Sequence, residues 1–187
     1  IAVLIGGPLW WFNRQSRNLQ FRDTVLIVTL GWFSICLVGC LPFVIHGSIP
    51  SLTDAFFEVM SGLTTTGSTI LDDIEALPHG LLFWRSMTHF LGGMGMIGLY
   101  LLIFCYVGGG NLQMYRIESA PGQGGTGDKM LPNVRLTMKW LWGIYLLLNG
   151  VCAILLWFGG LSWFDAVCHA FSAVATGGYS TLNTSAG

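Results

Sequence analysis

Two short runs hold the residues of this chain that could do chemistry: Thr64-Thr65-Thr66-Gly67 and Ala175-Thr176-Gly177-Gly178. Neither contains a carboxylate or a nucleophile beside a base. What they offer is oxygen, as backbone carbonyls released from helical bonding and as threonine hydroxyls. Glycine admits the positive φ that turns successive carbonyls toward one point. Rings of such carbonyls replace the hydration shell of an ion in potassium-type filters. Divalent-ion sites are built around carboxylates, so the chemistry these runs predict is coordination of a monovalent cation.

The elements that must position the runs are apolar. Of 187 residues, 53% are hydrophobic and 9% charged, with mean hydropathy +0.65. A soluble domain carries about 25% charged residues, so the expected class is an all-α integral membrane protein with membrane lipid around it. Eight Trp, five Tyr and twelve Phe suit interfacial belts and helix packing. A net charge of -1 with no basic cluster excludes a nucleic-acid partner. Residues 1–22 read as the end of a preceding membrane helix followed by a cytoplasmic loop. The chain begins at Ile1 without a charged leader and is expected to be a piece of something longer.

A first unit over 23–107 begins with a span from Thr24 to Ile45, which Pro42 and Gly47 end or kink. A short pore helix, about 51–63, then leads into the filter run at 64–69. Ser51 and Asp54 match a helix-capping box there. An acidic turn follows, with Asp72, Asp73 and Glu75, and Leu81 to Val107 forms the closing span. Residues 108–133 are expected to be a polar cytoplasmic linker. The second unit, 134–187, repeats the plan with a pore helix at about 162–174, capped by Ser162 and Asp165, and a filter at 175–180.

A shift of 111 residues overlays the two units. Ser51, Asp54, Ala55, Ser61, Thr65, Gly67 and Leu71 fall on Ser162, Asp165, Ala166, Ser172, Thr176, Gly178 and Leu182, seven identities in 21 positions. Transport proteins are often built from such repeats. Seven of the eight basic residues flank one side of the spans, which the positive-inside rule makes cytoplasmic, and only Arg85 lies on the other. Both short helices therefore enter from outside, each with a C-terminus carrying about -0.5 charge aimed at the membrane centre. The acidic turn would concentrate cations at the outer mouth.

Thr176-Gly177-Gly178-Tyr179-Ser180 resembles the T-V-G-Y-G filter of potassium channels. With the run Arg85-Ser-Met-Thr-His89-Phe-Leu-Gly-Gly-Met-Gly-Met-Ile-Gly98, and with Tyr115-Arg116-Ile-Glu118-Ser-Ala-Pro121-Gly122 before Trp140-Leu-Trp142-Gly-Ile-Tyr145, nearly the whole chain resembles the TrkH/TrkG/KtrB superfamily of K⁺ uptake proteins. That resemblance implies four span–pore-helix–filter–span units around one pore, two of them here. It implies K⁺ held at Thr65, Thr66, Thr176 and Gly177, with Gly67 and Gly178 as the filter glycines. Plant relatives favouring Na⁺ carry serine at the first filter position, so Gly67 argues for K⁺. It further implies a homodimer in a bacterial inner membrane, a cytosolic nucleotide-binding regulatory subunit of TrkA type, and no cofactor beyond the transported ion.

Two other classes remain open. A secondary cation-coupled transporter would alternate access around broken helices, usually with inverted repeats, whereas these units enter from one side. An intramembrane enzyme would need converging ionisable groups. Asp165, Cys168 and His169 are such a cluster, but the matching Asp54, Phe57 and Glu58 do not reproduce it. Glu58 and His169 overlay midway along their helices and are expected to hydrogen-bond behind the filters. Arg85 and His89, one turn apart, are expected to pair with the acidic turn or a pore-helix carboxylate, and Asn149 to bond between helices. The five cysteines read as packing residues. Gly93 to Gly98 and Gly122 to Gly127 match G-x-G-x-x-G but follow no strand, so no dinucleotide site is implied.

Overall fold

The structure, a computed structural model, describes residues 21–118 and 134–184. They form helices α1 (Phe21–Gly39), α2 (Leu41–His46), α3 (Leu52–Leu63), α4 (His79–Glu118), α5 (Val134–Phe158) and α6 (Trp163–Val174), with no strand among the described residues. The helix expected over 1–12, and the part of the linker from 119 to 133, lie outside the described residues.

The chain divides into two compact units, residues 1–60 and 61–187. In the first, α1 and α2 make one apolar stretch, Leu26–His46, long enough to cross a bilayer and broken at Cys40. Pro42 at the start of α2 explains the break, since it cannot donate to the turn before it. Gly47 closes α2 in the left-handed region at φ 80°. Cys36, Cys40 and Phe43 are buried, and the Cys36 thiol donates to Met60 Sδ at 3.5 Å. Leu26, Ile27 and Leu30 stay more than half exposed, as a lipid-facing stripe does.

In the second unit α6 packs on both α4 and α5, and α4 packs on α5. The three helices meet at Phe90, whose ring lies 4.7 Å from Phe171 and 5.4 Å from Tyr145. Tyr145 donates its hydroxyl to the Phe90 carbonyl at 3.2 Å. A second candidate span, Leu136–Phe158, shows the lipid-type pattern too, with Leu147, Leu155 and Phe158 largely exposed. Asn149, expected to bond between helices, does not reach another helix among the described residues. Its amide turns back to Tyr145 O at 2.7 Å, one turn up its own helix.

The linker expected from Gly108 begins later, because α4 continues to Glu118. Glycine weakens a helix by about 1 kcal/mol but does not end one, and backbone bonding carries on through Gly108–Gly110. At 1.5 Å per residue α4 is about 60 Å long, twice the hydrocarbon thickness of about 30 Å.

Two helical glycines differ in what surrounds them. A Cβ at Gly31 would meet nothing, whereas at Gly92 it would strike the backbone carbonyl of Leu63. Gly31→Ala should therefore stabilise by up to about 1 kcal/mol. Gly92→Ala should destabilise by about 1–3 kcal/mol, because backbone must move. Thermal unfolding in detergent reads the opposite signs.

Candidate functional site

The site is built from how two helices end. α5 closes in the usual way, with Gly160 left-handed at φ 101°, its N–H bonding Trp157 O and that of Leu161 bonding Leu156 O. α3 and α6 close with the same bond pattern but with threonine in the glycine place. Thr65 N–H donates to Gly62 O at 3.1 Å and Thr66 N–H to Ser61 O at 2.9 Å. In the second unit Thr176 N–H donates to Ala173 O at 3.0 Å and Gly177 N–H to Ser172 O at 2.8 Å. Thr65 has φ 54° and Thr176 φ 57°, and among the described residues these two alone are non-glycine with positive φ. Every element of one cap lies 111 residues from its counterpart.

A β-branched residue in the left-handed region is strained by about 1–3 kcal/mol, and such strain gathers at functional sites. Each run holds two residues of positive φ, where the sequence pointed only to its glycines. Glycine supplies the second such residue of each run, Gly67 at 78° and Gly178 at 92°, and threonine the first.

The two runs touch. A Cβ on Gly67 would strike the carbonyl oxygen of Gly177 and lie 2.9 Å from its carbon. Tyr179 adds a second cross-contact, donating its hydroxyl to Ser68 O at 3.4 Å. Thr64, Thr66, Thr176 and Gly178 are exposed, Thr65 and Gly67 half-buried, and Ala175 and Gly177 buried. Thr64 and Thr66 share a hydroxyl bond of 2.9 Å, and Thr176 Oγ1 donates to Ala175 O at 2.7 Å.

Behind the second run stands a polar brace. His89 stacks on Tyr179 with centroids 4.1 Å apart, and Arg85 Cζ lies 3.9 Å from the same ring. Arg85 Nη1 also donates to Ser180 O at 3.1 Å. His89 Nδ1 and Ser172 Oγ share a bond of 3.0 Å, while Nε2 is buried without a partner among the described residues. The sequence reading missed that Arg85 reaches the second run itself. Its signal was an ionisable pair on an apolar helix.

His169 bonds Asp165 O at 2.9 Å through Nδ1 and Ser180 Oγ at 3.2 Å through Nε2, and Glu58 is buried in its own unit. At the helix starts the serines are the caps: Ser162 Oγ accepts from Asp165 N–H at 3.2 Å, and Ser51 Oγ from Asp54 N–H at 3.4 Å. The aspartates sit three residues on. Asp165 takes bonds from Ser162 Oγ at 2.6 Å and Thr181 Oγ1 at 2.7 Å, tying the end of the second run to the start of α6.

The acidic turn is engaged as well. Asn183, to which the sequence reading assigned no role, takes Ile74 N–H on Oδ1 at 2.7 Å. It donates Nδ2 to Asp73 at 2.9 Å and its backbone N–H to Glu75 at 3.0 Å. Asp72 is exposed. The missed signal was positional, since the 111-residue shift lays Asn183 on Asp72.

With this geometry stand the comparisons. The TrkH family profile, described as a cation transport protein, matches residues 1–187. The chain belongs to the TrkH family. Within that family it is 47% identical to the Trk system potassium uptake protein TrkH of Salmonella typhimurium over 190 residues, covering all of this chain and 39% of the relative. It is 36% identical to the Trk system potassium uptake protein TrkG of Escherichia coli, again over 39% of that protein. The crystal structure of the potassium transporter TrkH from Vibrio parahaemolyticus matches with TM-score 0.77 at 39% identity, over 97% of this chain and 35% of that one. The chain thus spans about two fifths of the length of its curated relatives. As a TrkH family member it is an all-α membrane protein of a transport family and not an enzyme, which removes the rival built on Asp165, Cys168 and His169.

Two outcomes follow. Gly178 has open space around it, so Gly178→Ala should cost only its conformational strain, about 1 kcal/mol. Gly67→Ala should cost clearly more, and thermal melts of the two variants rank them. The amide of Asn183 beside Asp73, helped by nearby backbone N–H groups, holds that carboxyl below the usual range. The stability from a depressed carboxyl is complete above the unfolded value of about 3.9 and is lost as pH falls through the folded one. Asn183→Leu should move the Asp73 titration, followed by carboxyl NMR, up toward about 3.9.

Proposed function

We propose that the chain is part of a protein that takes up potassium across a bacterial inner membrane through a channel-like pore. Its two runs, Thr64–Gly67 and Ala175–Gly178, supply two of four quarters of a backbone-carbonyl filter. One observation carries this reading: two helices 111 residues apart end in the same strained cap, with Thr65 and Thr176 left-handed, and their following runs meet at Gly67 and Gly177. Each helix brings its partial negative end to its run, which favours a cation. The names of the relatives, potassium uptake proteins and a potassium transporter, support the choice of ion.

K⁺ would shed water at the outer side and exchange it for carbonyls of Thr65, Thr66, Thr176 and Gly177. The charges of Asp72, Asp73 and Glu75 would raise the local cation concentration. The complete protein would work as a homodimer on a cytosolic, nucleotide-binding TrkA-type subunit.

Rubidium uptake by the reconstituted full-length protein tests the transport reading. Gly67→Ser places a Cβ and hydroxyl against the Gly177 carbonyl, so sodium permeation relative to rubidium should rise. Unchanged selectivity in a folded Gly67→Ser protein would overturn the assignment of these runs.

A further inference from the structure

We infer that Asn183 is a positioning residue that sets ion selectivity, by clasping the segment beyond the second run to the turn beyond the first. This rests on the potassium-filter reading above and adds to it where the geometry of the filter is held.

The inference starts from the way residues 177–183 are tied. Gly177 abuts Gly67, Tyr179 reaches Ser68, Ser180 is held by Arg85 and His169, and Thr181 is anchored on Asp165. The last tie is Asn183, and it reaches across to residues more than a hundred positions earlier. One residue makes three bonds there, each from a different group of its own. The amide oxygen takes a backbone N–H, the amide nitrogen meets a carboxylate, and the residue's own N–H meets a second carboxylate.

An amide is the side chain that fits this place, because it must accept on one atom and donate on the other. Aspartate could accept from Ile74 but would set a third negative charge beside Asp73 and Glu75, and leucine could do neither. Two of the bonds end on carboxylates, which makes them stronger than neutral ones despite their exposure. The clasp closes a loop of contacts that begins at Gly67 and Gly177. A shift of the 183 segment against the 73–75 turn is therefore passed to the spacing of the two runs. Carbonyl spacing and field strength are what separates potassium from sodium in such rings.

The test uses full-length protein in vesicles, with radioactive rubidium and sodium uptake measured in parallel. Asn183→Leu should keep rubidium uptake and raise the sodium-to-rubidium ratio several-fold. Asn183→Asp should do the same through repulsion. Combining it with Asp73→Asn restores one amide facing one carboxylate in reversed order, and the ratio should return toward wild type. A purely structural role would lower uptake of both ions alike and would not follow the charge reversal. If Asn183→Leu fails to accumulate, Asp73→Ala, which leaves the Ile74 and Glu75 bonds in place, should raise the ratio instead. An unchanged ratio in the folded Leu or Ala variant, or a double variant no better than Asn183→Asp, would overturn the clasp. Wild-type protein that takes up no rubidium would overturn the underlying reading instead.

Discussion

A helix leaves its last carbonyls without partners of its own, and where its end is shielded from water the chain itself must close it. Everything at this site depends on how α3 and α6 meet that demand. Each folds its next two N–H groups back onto its own last turn, and the turn that allows this needs a left-handed residue. Elsewhere in the chain that place is held by Gly47 and Gly160. Here it is held by threonine, at a conformational cost the surroundings must offset.

The surroundings do so by close approach. Gly92 lets α4 come against the Leu63 carbonyl at the end of α3, and Gly93 brings Tyr145 and Ala175 near, with the Tyr145 hydroxyl 2.6 Å and Ala175 Cβ 3.2 Å from where its Cβ would stand. His89 lies so near Gly177 that a Cβ there would enter the imidazole. These contacts pin the runs from behind with rings, hydroxyls and backbone rather than with a broad apolar core. The stacked pair His89 and Tyr179, with Arg85 on the same ring, converts three residues of moderate polarity into one rigid support. A run held on that many sides has little freedom to move, and that is the rigidity the proposed filter would use to discriminate by size and field.

Much of this was readable from the chain alone. The apolar composition named the class, serine and aspartate spacing marked the starts of α3 and α6, and the 111-residue shift paired the two ends. Gly67 and Gly178 stood out because glycine in such a Thr/Gly/Ser run admits the positive φ that a ring of carbonyls needs. Legibility failed where partners are distant. Asn183 was given no role, and nothing local said that Arg85 would reach the Ser180 carbonyl and the Tyr179 ring. It also failed at Gly108–Gly110, where a polar linker was expected to begin and the helix continues to Glu118.

The sequence by itself determined where helices start, how apolar their faces are, and that two segments are copies of one another. These follow from local propensity and from composition, which act over a few residues or over the whole chain without regard to geometry. Only the tertiary structure decided that Thr65 and Thr176 are the left-handed residues, that Gly67 faces the Gly177 carbonyl, and that Asn183 bonds Asp73, Ile74 and Glu75. The reason is physical. A strained φ and a contact between residues 110 apart are both set by what packs around them, and no local preference encodes either.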